Sequence, residues 1–120
     1  MASALDADGA DLVLQTRREA GAVIIGARGE VTVFTSPALR QELRKAAAEK
    51  PGRLVVDLSE TSYIDSSGVA TLVEGLKLMQ PHRGRLVLAG MNERVRGVFE
   101  IARLNSVFRL AETVEEALRP

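Results

Sequence analysis

No cysteine occurs among the 120 residues. That excludes disulfide staples, thiolate metal sites and a cysteine nucleophile, and it is compatible with a cytoplasmic location. A single histidine, His82, leaves little from which to build a metal centre or a general base. Tryptophan is absent, and the aromatics are three phenylalanines and one tyrosine, too few for the stacking platform of a single-strand nucleic-acid binder. Charge of one sign is missing too: sixteen basic and sixteen acidic residues cancel, so no global field draws the chain to nucleic acid or anionic lipid. No apolar run reaches the length of a membrane span, and Met1 to Asp6 lack the basic and apolar regions of a signal peptide. Direct membrane insertion is not expected.

What is present has the size of one ordinary domain. Residues 1–11 are small and acidic and read as a flexible lead-in, with the domain itself over 12–118. Leu12, Leu14 and Thr16 alternate with Val13, Gln15 and Arg17, and Gly21 breaks the chain before a second strand from Val23 to about Ala27, which predicts a hairpin. Thr35-Ser36-Pro37 marks a helix start whose Leu39, Leu43, Ala46 and Ala47 face inward, and Pro51-Gly52 closes it. Leu54 to Leu58 is too continuously apolar for a sheet edge and suits a central parallel strand. A helix after Gly68 carries Val69, Leu72, Val73, Leu76 and Met79 at helical spacing. Arg85 to Ala89 reads as a strand, Asn92 as the cap of a helix burying Val95, Val98, Phe99 and Ala102, Val107 to Leu110 as a last strand, and Thr113-Val114-Glu115-Glu116 as a terminal helix start. Strand and helix alternation predicts an α/β domain: a mixed, mostly parallel sheet of four to five strands packed with about four helices.

The stretch Thr61 to Val69 organises this pattern. Asp65, Ser66 and Ser67 all carry oxygens able to cap the helix that begins there, and Gly68 removes a side chain from beside the hydroxyls, leaving the backbone open to a partner or an anion. A helix start also favours negative charge, so a phosphate on Ser66 or Ser67 is chemically reasonable, although Asp65 would repel it. An enzyme reading finds no convergent groups. A serine hydrolase built on Ser66 lacks the Gly-x-Ser-x-Gly elbow, and its base would have to be His82, beyond the far end of the same helix and roughly 20 Å away. No phosphate-binding glycine loop and no close carboxylate set for a metal is present. No catalytic residue, metal or cofactor is expected.

Tyr63-Ile64-Asp65-Ser66-Ser67-Gly68-Val69 resembles the signature of the anti-sigma-factor antagonists of the STAS domain family. Gly29-Glu30-Val31, Thr35 to Arg40, Arg85 to Gly90 and Val95 to Leu104 are similar to further family segments in the same order. The resemblance spans about residues 12 to 118. It implies that Ser66 is the phosphorylated residue, with Asp65, Ser67 and Gly68 as its motif neighbours. It also implies partner switching in transcription regulation: the unmodified domain sequesters an anti-sigma factor that is also a serine kinase, phosphorylation releases it, and a serine phosphatase restores the first state. The alternative that the family offers is a constitutive regulatory or scaffold subunit of a stress-signalling assembly or membrane lipid transporter, without a phosphate cycle. One position departs from the pattern: family members usually carry an aspartate after Gly-Glu-Val, where this chain has Thr32.

At about 100° per residue from Val69, Leu78 falls near 180° and Thr71 near 200°. Both are therefore expected on the outer face of the helix, where a partner docked at Ser66 would extend. The sequence leaves oligomeric state open.

Overall fold

The computed structural model describes residues 12–120; the lead-in expected over residues 1–11 lies outside the described residues. β1 (Leu12–Glu19) and β2 (Ala22–Val31) form the expected hairpin, antiparallel from Leu12 opposite Gly29 to Glu19 opposite Ala22. β2 runs on to Val31, past the expected end near Ala27. Gly29, at φ 121°, sits where its pairing register slips, a backbone conformation that a side chain would strain. There follow α1 (Ser36–Ala48), β3 (Arg53–Asp57), β4 (Thr61–Ile64), α2 (Ser66–Met79), β5 (Arg85–Ala89), α3 (Glu93–Ile101), β6 (Arg109–Ala111) and α4 (Val114–Ala117).

The sheet order is β1-β2-β3-β5-β6, and β4 pairs with β2 beyond the point where β3 leaves it. Every strand pairing except β1 with β2 is parallel. This is the α/β mixed sheet read from the sequence, with six strands. β4 is the strand that the apolar pattern did not announce, because only Thr61 and Ile64 of its four residues are buried.

The continuous apolar run of β3 is explained by burial on both faces. Leu54 and Val56 join the main core with α1, α2 and α3, while Val55 joins Ile24, Val87, Ala89, Ala111 and Ala117 under the short α4. In the main core Phe99 and Phe108 meet edge to face, with ring centroids 5.5 Å apart. The inward positions expected of α1 are all buried; on α3, Val95 and Phe99 are buried, Val98 is half-buried and Ala102 is exposed.

Helix α2 corrects the outer-face reading. Its buried residues are Gly68, Val69, Thr71, Leu72, Gly75 and Met79, an arc that turns away from Val69 toward α1. The cause is α1 packing alongside: a Cβ on Gly75 would lie 3.2 Å from Leu43 Cδ1, so small residues on this flank allow close helix approach. Thr71 is consequently 0% exposed, and Leu78 is half-buried against the main core. Neither points outward.

Candidate functional site

The C-terminal ends of the parallel strands gather the β2–α1 loop, the start of α2 and the start of α3. In open α/β sheets this edge is where binding surfaces form. Asp65 caps α2 with one carboxylate oxygen: Oδ1 accepts the N–H of Ser67 at 2.8 Å and of Gly68 at 3.1 Å. Its second oxygen, Oδ2, accepts the N–H of Val33 at 3.1 Å. Among the three candidate caps, the carboxylate takes the role and both serine hydroxyls are left out of it. Ser66 is exposed, Asp65 and Ser67 are half-buried, and Gly68 is buried.

Three successive amides at this helix start are therefore occupied. Ser67 and Gly68 serve Asp65, and the Val69 N–H donates to the Asp65 carbonyl at 3.1 Å. An anion on Ser66 would therefore find the Ser67 and Gly68 amides already taken. Gly68 also has another role than the one read from sequence. A Cβ there would lie 2.5 Å from Ile64 Cγ1 and 2.6 Å from Val31 Cγ1, so the glycine lets α2 sit down on the sheet rather than opening the hydroxyls to a partner.

The β2–α1 loop is tied at nearly every residue. Thr32 N–H donates to Thr35 Oγ1 at 2.8 Å, Thr35 Oγ1 donates to the Glu30 carbonyl at 2.8 Å, and Phe34 N–H donates to Thr32 Oγ1 at 3.1 Å. The Thr35 and Ser36 N–H groups both donate to the Thr32 carbonyl. Thr35 thus braces the loop instead of capping α1 with its side chain. From this rigid loop Phe34 projects into solvent, 87% exposed, beside Val33 at 57% and with Tyr63 of β4 at 41%. Phe34 was not singled out in the sequence. Its sequence signal was its place between the end of a strand and the Thr-Ser-Pro helix start, where no periodicity demands an inward residue.

From Ser66 a groove of about 580 Å³ runs between α2 and α3, floored by Val69, Ala70, Val73, Val98 and Leu104. At the rim of this groove Glu74 binds two arginines of α1: Arg40 Nε at 2.9 Å, and Arg44 Nη2 at 2.8 Å. Hydrogen bonding from Arg44, against some desolvation, and then from Arg40 holds the Glu74 carboxyl below its ordinary value. Arg40 also reaches Thr71 Oγ1 at 3.4 Å, and that hydroxyl donates to the Ser67 carbonyl at 2.9 Å. Thr71 supports the helix start from within.

His82 is half-buried in the turn after α2, with Nε2 2.9 Å from the Pro51 carbonyl. Ser66 opens that helix and His82 follows its far end, so the two do not converge. Among the described residues no cluster of metal-ligating side chains occurs and no helix is long and apolar enough to cross a membrane.

A family model described as the STAS domain matches residues 13–117. The anti-sigma-B factor antagonist of Listeria monocytogenes is 29% identical over 93 residues, covering 78% of this chain and 82% of that protein. The anti-sigma-B factor antagonist of Bacillus subtilis is 31% identical over 87 residues, covering 72% and 79%. Among solved structures, an anti-sigma factor antagonist from Mycobacterium paratuberculosis superposes with a TM-score of 0.84 at 24% identity, over 92% of this chain and 93% of that one.

Proposed function

This chain belongs to the STAS domain family, and from that premise we propose that it is an anti-sigma-factor antagonist. It is a protein-binding module rather than a catalyst. With Ser66 unmodified it captures an anti-sigma factor that is also a serine kinase; phosphate on Ser66 releases that partner, and a serine phosphatase restores binding. The observation that carries this reading is an exposed Ser66 hydroxyl at the start of α2, close to a braced loop that presents Phe34 and Val33 to solvent.

The physics of release follows from the occupied amides. Phosphate would add about −1.5 to −2 charges at neutral pH. With Ser67 and Gly68 already bonded to Asp65, that charge has no internal cradle, so it stays at the surface and the fold is left in place. A partner packed over Phe34, Val33 and Ser66 would have to desolvate the phosphate without a matching cation, which is costly. The switch therefore acts at the contact and not through rearrangement.

Thr32 favours one second reading. Its hydroxyl is committed to the Phe34 N–H, and it supplies no carboxylate where relatives usually have one. The same surface then serves a constitutive scaffold or regulatory subunit. Incubation with the cognate kinase and ATP, followed by peptide mapping, separates the two: the switch requires phosphate on Ser66 and loss of partner binding when it is there. Phosphate confined to Ser67, or binding that persists on a fully Ser66-phosphorylated protein, overturns it. Ser66→Ala should bind permanently, and Ser66→Asp more weakly.

A further inference from the structure

The end of the sheet opposite Ser66 carries a row of like charges. Val55, Val87 and Ala111 lie under α4, and strand alternation from them places Arg53, Arg85 and Arg109 on the same face. Arg53 and Arg85 are direct cross-strand partners, and Arg109, opposite Val87, lies two residues along on the next strand, diagonal to Arg85. Cations side by side on a sheet oppose its pairing. Among the described residues none of the three forms an ion pair. Of the carboxylates near α4, Glu112 lies 3.7 Å from Arg96 and Glu116 accepts the Glu112 N–H, while Glu115 is exposed and pairs with none of the three arginines. Arg53 donates to the Leu118 carbonyl at 2.7 Å, while Arg85 and Arg109 stand exposed. Beside Arg53 is a recess of about 420 Å³ whose walls include Ala20, Ala22 and Leu118.

We propose that this arginine row is a second docking surface, which takes a carboxylate-rich segment of a protein partner independently of the state of Ser66. Guanidinium forks match carboxylates in shape and charge; the paired Arg53 and Arg85 start about 5 Å apart and Arg109 lies diagonally about 7–8 Å from Arg85, spacings within reach of neighbouring acidic side chains of one segment. The recess gives an apolar side chain of the same segment a place to sit, which a flat bilayer surface could not use. Nucleic acid is disfavoured because the exposed aromatics, Phe34 and Tyr63, lie at the opposite edge and no base could stack here. The zero net charge of the chain makes the attraction local to this row. Partners at the two ends of the strands would not collide, so one can be held while the other exchanges.

The test uses the full chain and fluorescence polarisation with a short labelled peptide of alternating Glu and Leu, in moderate salt. Single-stranded oligothymidylate and phosphatidylglycerol vesicles are run in parallel. Wild type should bind the peptide saturably, and Arg85→Glu and Arg109→Glu should each weaken it about tenfold, or 1.4 kcal/mol. Arg94→Glu, an exposed charge on α3, should change it little. Equal loss from Arg94→Glu, no saturable binding by wild type, or tighter binding of oligothymidylate or vesicles than of peptide overturns the proposal. Arg85→Gln gives a readout that needs no ligand. Relief of repulsion from Arg53 should raise the melting temperature by about 1–3 °C, whereas a fall would show that the arginine serves the fold and would overturn the assignment.

Discussion

Asp65 holds Val33 across two loops. Its Oδ2 accepts the Val33 N–H at 3.1 Å while Oδ1 caps α2 through Ser67 and Gly68, so one carboxylate fixes both the loop that presents Phe34 and the helix start that presents Ser66. Asp65→Ala should cost about 1–2 kcal/mol, as a lost helix cap does, and lower the melting temperature by several degrees. Amide exchange should accelerate together at Val33, Ser67 and Gly68. Faster exchange at the helix start alone would show that the link to the β2–α1 loop carries no constraint.

Two helical glycines should respond oppositely to alanine. At Gly68 a methyl would meet Ile64 and Val31 at 2.5 and 2.6 Å, and overpacking of this kind costs about 1–3 kcal/mol. At Gly97, inside α3, a methyl meets nothing within 4 Å, so Gly97→Ala should stabilise by up to about 1 kcal/mol through helix propensity. Denaturant unfolding of both variants checks the pair. A neutral Gly68→Ala would remove the steric account of that glycine.

The legible parts of the fold were those that one local rule decides. Leu54 to Val56, apolar without a break, announced a strand buried on both faces, and Asn92 announced a cap that does accept the Val95 N–H at 2.8 Å. β4 was not legible because its pairing with β2 depends on a register slip at Gly29, far away in sequence. The orientation of α2 failed for a related reason. Its largest apolar residues pointed to one arc, but Thr71 and Gly75, small and weakly apolar, mark where α1 approaches, and only tertiary packing reveals them. At the site, Ser66 and Asp65 were found by motif and capping chemistry. Phe34 was not singled out because no periodicity marks its position, and the hydrogen bonds of Thr32 and Thr35 that turn its loop outward are made only in the folded chain.

Glu74 makes the contact between α1 and α2 sensitive to acid. Its folded value is depressed from 4.5 by the hydrogen bonds from Arg44 and Arg40, so its contribution to stability is present above pH 4.5 and is lost as pH falls through the lower folded value. Thermal melts between neutral pH and about pH 3 should show wild type losing more stability than Glu74→Gln. The pair is solvated, so salt should shrink the difference. Parallel curves for the two proteins would mean that the Arg40–Glu74–Arg44 contact adds nothing to folding.

Phe34 and Leu78 separate recognition from stability. Leu78 packs half-buried against the main core, so Leu78→Asp should lower the melting temperature markedly, since a charge there loses apolar contact and meets poor solvation. Phe34 touches little in the free protein, and Phe34→Ala should leave the unfolding free energy within about half a kcal/mol of wild type. Its loop is already braced, so a partner closing over the ring would spend little on ordering it, and truncating an aromatic anchor of this kind costs about 2 kcal/mol or more of binding. Calorimetry with the captured partner should therefore show affinity falling more than tenfold for Phe34→Ala, with Thr71→Val as a buried comparison whose effect appears in stability first. Unchanged affinity for Phe34→Ala would move the contact into the groove between α2 and α3, where Val73→Asp would then be the variant that abolishes it.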